Sequence, residues 1–279
     1  PPSIILVVYG IWTESSIGAL FIAGIIPGIM MTIGYSATIW IRCKINPALG
    51  PIGESFNLSE KVSSLTKLLP VLLTFLVVIG GIYAGVFTPT EAAAVGVFAL
   101  LVISLAMRRL NWESLGKSLL ETMHTSAMIF VIIIGGHMMG KFVVQTGLTQ
   151  GLIDWMQSLG LGPLTTMLMI SILYIILGLF LDVWGMLILT LPFVFPVILA
   201  LGFDPVWFGI FIVVMVEIAL ITPPIGINVY VMHNLAPDVE LVDIFKGVMP
   251  FVVVSLIFVV LLTAFPQMAL FLVDLSFTN

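Results

Sequence analysis

Charge is what this sequence has least of. Asp, Glu, Lys and Arg make up 8% of the 279 residues, against about 25% in an ordinary soluble domain. A water-facing surface for a chain of this length cannot be assembled from so few charges. Cysteine is nearly absent as well: Cys43 stands alone, so no internal disulfide can form. His124, His137 and His233 are far apart along the chain, and neither HExxH nor GxSxG occurs. That leaves an intramembrane hydrolase without a metal or nucleophile motif, and no enzyme is expected. No basic stripe suggests nucleic acid as a partner. Pro1 is not a start methionine and no signal peptide leads the chain. The sequence therefore reads as a fragment that lacks an N-terminal part.

What is present is hydrocarbon. Apolar residues make up 61% of the chain and the mean hydropathy is +1.27. Long apolar runs of this kind imply an all-α integral membrane protein. Candidate spans are Ile17–Ile41, Leu68–Val86, Ala92–Met107, Thr125–Val144, Val206–Met232 and Pro250–Val273, with Leu164–Leu181 and Val183–Leu201 flanking Asp182. Leu110, Leu115, Leu119, Leu120 and Met123 recur at helical spacing among Glu113, Lys117 and Glu121. They predict a helix lying in the interface, with a second over Val239–Met249. Arg42, Lys44, Lys61, Lys67, Arg108, Arg109, Lys117 and Lys246 fall in loops that all reach the cytoplasm on one consistent path. Only Lys141 is left over. That path makes Leu164–Leu201 enter and leave on the outer side. It is a re-entrant hairpin with Asp182 near its tip, or two full spans, and the tip aspartate favours the hairpin.

"ALITPPIGINVY" (Ala219–Tyr230) interrupts a span with two prolines and a glycine. Proline lacks an N–H and disfavours helix before it, so carbonyls in the preceding turn are freed. Gly226 permits a turn or a close approach. Such backbone is tolerated at membrane depth only when buried in protein or lining a polar cavity. Carbonyls at the end of one half-helix suit Na⁺, and the start of the next suits an anion. "PPSIILVVYG" at the N-terminus resembles "PPIGINVYVM" from Pro223, and a G-x-x-P follows each at a similar distance. The topology inverts one copy relative to the other. Paired broken helices in inverted repeats mark secondary transporters.

The candidate substrate- and ion-binding residues are Pro2, Ser3, Gly178, Asp182, Glu217, Thr222, Pro223, Pro224, Gly226 and Asn228, with Asp182, Thr222 and Gly226 as the sodium ligands. Plainer readings stand beside these. Asp182 also suits a helix N-cap, a Pro kink can be structural, and Glu217 can be neutral and hydrogen-bonded. Lys141, four residues after His137, can snorkel. In "FTPTEAAAVG", Thr88, Pro89 and Glu91 fit a capping box with Pro at N1. A channel is a further possibility, since broken helices can line pores.

Taken together, "PPSIILVVYG…SIGALFIAGIIPG", "GGIYAGVFTPTEAAAVGV", "LGLFLDVWGMLILTLPFVFPV", "GFDPVWFGI" and "LITPPIGINVYV" resemble the large membrane subunit of the tripartite ATP-independent periplasmic (TRAP) transporters. The resemblance implies the elevator fold of the ion transporter superfamily, in the bacterial inner membrane. It implies sodium-coupled import of organic acids such as C4-dicarboxylates or sialic acid. The partners it implies are a periplasmic substrate-binding protein and a small four-helix membrane subunit. No cofactor beyond Na⁺ as coupling ion is expected. On that pattern residues 1–45 end the first inverted repeat, 46–67 are a cytoplasmic inter-repeat loop and 68–279 form the second repeat. Within it, 68–124 and 239–279 are scaffold and 125–238 belong to the transport domain, with the hairpin at 164–201. The first hairpin would precede Pro1. The alternative is a sodium/anion symporter of the same superfamily that needs no binding protein. All three arginines lie in loops, so a carboxylate would be held by helix termini, backbone amides, hydroxyls and bound sodium.

Overall fold

A computed structural model describes residues 3–50, 57–158, 160, 162–224 and 226–277. The candidate Pro2, and with it the first double proline, lies outside the described residues. In chain order the helices are α1 (Ile4–Thr13), α2 (Ile17–Ala23), α3 (Ile25–Ile45), α4 (Leu58–Tyr83), α5 (Pro89–Ala106), α6 (Trp112–Gln145), α7 (Leu148–Ser158), α8 (Pro163–Gly178), α9 (Val183–Ala200), α10 (Pro205–Ile221), α11 (Ile227–Leu235), α12 (Leu241–Ala264) and α13 (Gln267–Phe277). No strand occurs among the described residues. Ile17–Ile45, Pro89–Ala106, Trp112–Gln145, Val183–Ala200 and Leu241–Ala264 are long and apolar enough to cross a bilayer. The all-α membrane class expected from composition is what the chain adopts.

Three boundaries differ from expectation. α4 starts at Leu58, ten residues before the expected span, so part of the 46–67 segment is helix. Its start is stabilised by Glu60, whose Oε2 accepts the Asn57 N–H at 2.9 Å. The expected interface helix at 110–123 and the span at 125–144 are one 34-residue helix, α6. No proline stops it, and Lys117 pairs with Glu113 at 2.8 Å within its first turns. At about 1.5 Å per residue it is roughly 51 Å long, well beyond a hydrocarbon core of about 30 Å. Likewise α12 joins the expected second interface helix to the last span, then stops at Phe265, where Pro266 cannot continue the ladder.

Two units are distinguished, one of Arg42–Phe130 and one of Ser3–Ile41 with Val131–Asn279. In the first, α4 packs along α5. Thr88 caps α5 as expected: its Oγ1 accepts the Glu91 N–H at 3.3 Å, and Glu91 Oε2 accepts the Thr88 N–H at 2.8 Å.

In the second unit α10 is the centre. Ten of its residues from Trp207 to Ile218 are buried, as expected for a helix that is apolar all round. α1, α2, α8, α9 and α12 pack on it. Gly209 lets α1 and α2 come close: a Cβ there would meet Leu20 Cδ2 at 2.6 Å and Tyr9 Cε1 at 2.8 Å. The Tyr9 hydroxyl donates to the Pro205 carbonyl at 2.6 Å. The Trp207 indole N–H donates to the Leu262 carbonyl at 2.9 Å. That carbonyl's helical donor would have been residue 266, a proline without an N–H, so the indole replaces it.

Candidate functional site

α10 ends where the double proline begins. Pro223 and Pro224 remove the donors that Ala219 and Leu220 would have used. The Ala219 carbonyl instead takes the Thr222 N–H at 3.4 Å. Thr222 is extended, and its Oγ1 donates to the Ile218 carbonyl at 2.6 Å. The hydroxyl proton is thus used inside the helix end, and the oxygen keeps lone pairs for a cation. The Pro223–Pro224 peptide is cis.

Gly226 restarts the chain as N-cap of α11 with φ +34°, a region a side chain rarely adopts. It is buried, and a Cβ would meet the Phe245 ring at 3.1 Å and the Thr222 carbonyl oxygen at 3.2 Å. The glycine therefore brings two backbone strands of the break together under α12. Its own carbonyl accepts the Val229 N–H at 2.7 Å. Asn228, in the first turn of α11, is exposed. Tyr230 closes over the break: its hydroxyl donates to the Pro224 carbonyl at 3.3 Å, and its ring meets Phe245 edge-on. The arrangement is a carbonyl-rich C-terminal half-helix end facing an amide-rich N-terminal one, which can take a hard cation and an anion side by side.

Gly178, the last residue of α8, meets the last turn of α10. A Cβ on Gly178 would lie 2.5 Å from Ala219 Cβ and 3.2 Å from its Cα. α8 thus ends against the last turn of α10, three residues before Thr222. Tyr174 and Thr190 tie the two arms together by a buried hydroxyl pair at 2.6 Å, and Thr190 also donates to the Met186 carbonyl at 2.7 Å. Asp182 caps α9, with Oδ1 accepting the Gly185 N–H at 2.9 Å. The cap reading is realised, and Oδ2 has no partner among the described residues.

Not every candidate gathers here. Gly178, Thr222, Pro223, Pro224, Gly226 and Asn228 belong to one neighbourhood. Ser3 sits at the N-cap position of α1 without a side-chain cap bond, and no described contact joins it to the break. Glu217, on α10, is exposed, and no described contact joins it to the break. His137 stacks on Trp12, with ring centroids 6.3 Å apart. The Tyr35–Ser255 hydroxyl pair was not anticipated: no periodicity marks two hydroxyls 220 residues apart. Nor was α7, although its alternation of Leu148, Leu152 and Trp155 with polar residues is an amphipathic signal.

A family model described as "Tripartite ATP-independent periplasmic transporter, DctM component" matches residues 1–268. The chain belongs to this family. As a DctM-family permease it is a transporter component, not an enzyme, and a multi-pass protein of the bacterial inner membrane. Among its relatives, the sialic acid TRAP transporter large permease protein of Vibrio cholerae is 36% identical over 276 residues, 99% of this chain. The C4-dicarboxylate large permease protein of Pseudomonas aeruginosa is 34% identical over 271 residues, 97% of this chain. The ectoine large permease protein of Halomonas elongata is 32% identical over 278 residues, 99% of this chain. The DctM-family chain spans 63–64% of the length of these three relatives.

Proposed function

We propose that this permease chain is part of a sodium-coupled importer of organic acids, such as C4-dicarboxylates, sialic acid or similar carboxylates. The acid is delivered by a periplasmic binding protein, and a small four-helix membrane subunit works beside the permease. The observation that carries this reading is the interrupted α10–α11 pair. Thr222 and the freed carbonyls before it offer oxygens to Na⁺, with Gly226 giving the ion close access to backbone. Asp182, with one carboxylate oxygen uncommitted at the hairpin tip, is the charged sodium ligand of this proposal. The first turn of α11, with Asn228, receives the substrate carboxylate.

Sodium is required for the anion because neither half-helix of the break carries an arginine: Arg42 is in the last turn of α3, and Arg108 and Arg109 follow α5. The cation neutralises the charge that would otherwise be desolvated alone. Each net charge moved inward across about 100 mV gains about 2.3 kcal/mol, so excess sodium drives accumulation. We assign 125–238 to a moving transport domain, with a re-entrant hairpin at 164–201, and 68–124 with 239–279 to the scaffold of an elevator. The relatives named above differ in the substrate they are named for, sialic acid, C4-dicarboxylates and ectoine, which supports leaving much of the selection to the binding protein.

The test is uptake into vesicles holding the complete transporter. Uptake should need both an inward sodium gradient and the binding protein. Sodium-coupled uptake of free substrate without any binding protein would replace this reading with that of a stand-alone sodium/anion symporter.

A further inference from the structure

A cavity of about 270 Å³ lies between α7 and the two arms of the hairpin. Leu152 and Trp155 of α7, Thr166 and Leu173 of α8, and Phe193 and Val197 of α9 line it. α7 and α8 each pack on α9, so all three helices bound the space. An apolar cavity of about 150 Å³ already stays dry and takes up benzene. This one is larger, and its walls are hydrocarbon apart from Thr166 and the Trp155 indole N–H. It opens outward rather than closing inside the protein: Leu173 is 42% exposed and Trp155 53%. Outside the apolar wall of a membrane protein lies the bilayer, so lipid chains have access to it.

Thr166 is fully buried, and its Oγ1 has no hydrogen-bond partner among the described residues. Helical threonines elsewhere in the chain meet this need locally. Thr32, Thr38, Thr74, Thr190 and Thr263 each donate to the carbonyl four residues before. At Thr166 that carbonyl, of Gly162, takes the backbone N–H at 3.1 Å and not the hydroxyl. A buried hydroxyl left this way is costly and calls for an acceptor. Its depth says which acceptor is at hand. Gln150 and Asp154 of α7 are exposed and bonded to each other at 2.8 Å, on the other side of that helix from Leu152. An amphipathic helix of this kind lies in the interface, its apolar face about 5–10 Å into the headgroup–acyl boundary. α8 starts shortly after α7 ends, and Thr166 stands three residues past its first residue, Pro163, about 4.5 Å along the axis. The unpartnered hydroxyl is therefore at the level of the lipid ester groups, whose carbonyls only accept.

We propose that this cavity is an acyl-chain site for a bilayer phospholipid, with the Thr166 hydroxyl donating to the chain's ester carbonyl and the tail running toward Leu173 and Phe193. The tail fills the gap between α7 and both arms, beside the Tyr174–Thr190 pair that joins the arms. A lipid bound there braces the hairpin. The site depends neither on sodium nor on the break between α10 and α11.

The experiment uses the full-length permease with its partner subunit in bilayer discs of phosphatidylethanolamine and phosphatidylglycerol. A trace of phosphatidylglycerol with a mid-chain diazirine is added, in an ester-linked or an ether-linked form, and labelled residues are mapped after illumination. The parent should be labelled at Leu152, Leu173 and Phe193, about fivefold more by the ester lipid than by the ether lipid, the worth of one hydrogen bond. Thr166→Val keeps the shape and removes the donor, so the two forms should label it alike. Leu173→Trp puts an indole into the cavity and should lose most of the labelling at Leu152 and Phe193, while labelling elsewhere on the chain persists. Equal labelling by ester and ether lipids in the parent, or an ester preference that survives in Thr166→Val, would overturn the proposal. Labelling of these residues that appears only when the partner subunit is left out would give the cavity to that protein and overturn it as well. Should Leu173→Trp fail to fold, the ester–ether comparison in Thr166→Val decides alone.

Discussion

Replacing Gly178 by alanine tests whether the hairpin closes against the interrupted helix. The added methyl would lie 2.5 Å from Ala219 Cβ and 3.2 Å from Ala219 Cα. Carbon atoms prefer separations of about 3.5–4.0 Å, so the overlap is about 1 Å. Neither partner can relieve it by rotation, since both side chains are a single methyl. One helix end must move instead. Overpacking of this kind costs about 1–3 kcal/mol. The gain from removing a helical glycine is at most about 1 kcal/mol, and smaller at a terminal position such as this one. The net expectation is a loss of about 1–2 kcal/mol, a fall in Tm of about 2–8 °C for a chain of this size. Thermal unfolding of the full-length permease in detergent measures it. The decisive arm is the double variant Gly178→Ala with Ala219→Gly, which removes the clashing methyl from the other side. It should recover most of the loss, with a coupling of about 1 kcal/mol or more. Strict additivity of the two substitutions would show that α8 and α10 do not meet here, and the reasoning would fail.

Other substitutions separate structural from functional roles. Thr88→Ala removes a cap and should lower stability by about 1 kcal/mol with sodium-driven uptake intact in the folded protein; a transport defect at full stability would refute the structural role. Asp182→Asn should leave stability nearly unchanged, because asparagine caps as well as aspartate, while weakening the sodium dependence of uptake. An unaltered sodium dependence would remove the residue from the ion site. Trp207→Phe should cost about 1–3 kcal/mol, since it leaves the Leu262 carbonyl buried without a donor; denaturation that matches the parent would show that the indole bond carries no weight.

Much of this arrangement is legible in the sequence because the physics is local. A proline cannot donate a ladder bond wherever it stands, so Pro223 and Pro224 announce the end of α10 and Pro266 the end of α12. Thr88 and Glu91 are three residues apart, and a capping box needs nothing else. Sparse charge settles the solvent before any helix is drawn. What stays hidden depends on neighbours distant in the chain. Tyr35 reads as one more aromatic in a span until Ser255 is placed 2.6 Å away. Gly178 and Ala219 are ordinary small residues until their backbones touch. The length of α6 was missed for a different reason. Two polarity patterns, amphipathic then apolar, suggested two helices, but nothing in the backbone between them forces a stop.

Sodium binding at the break itself is the most direct measurement. The full-length permease is titrated with NaCl against KCl of equal ionic strength while Tm is followed, in the parent and in Thr222→Val. A ligand bound only to the folded state adds about 2.7 kcal/mol at a hundredfold excess over its Kd. We expect sodium, and not potassium, to raise the Tm of the parent, with that rise lost or strongly reduced in Thr222→Val. An equal response to both cations, or the same sodium response in the variant, would contradict the assignment of the interrupted helix as the ion site.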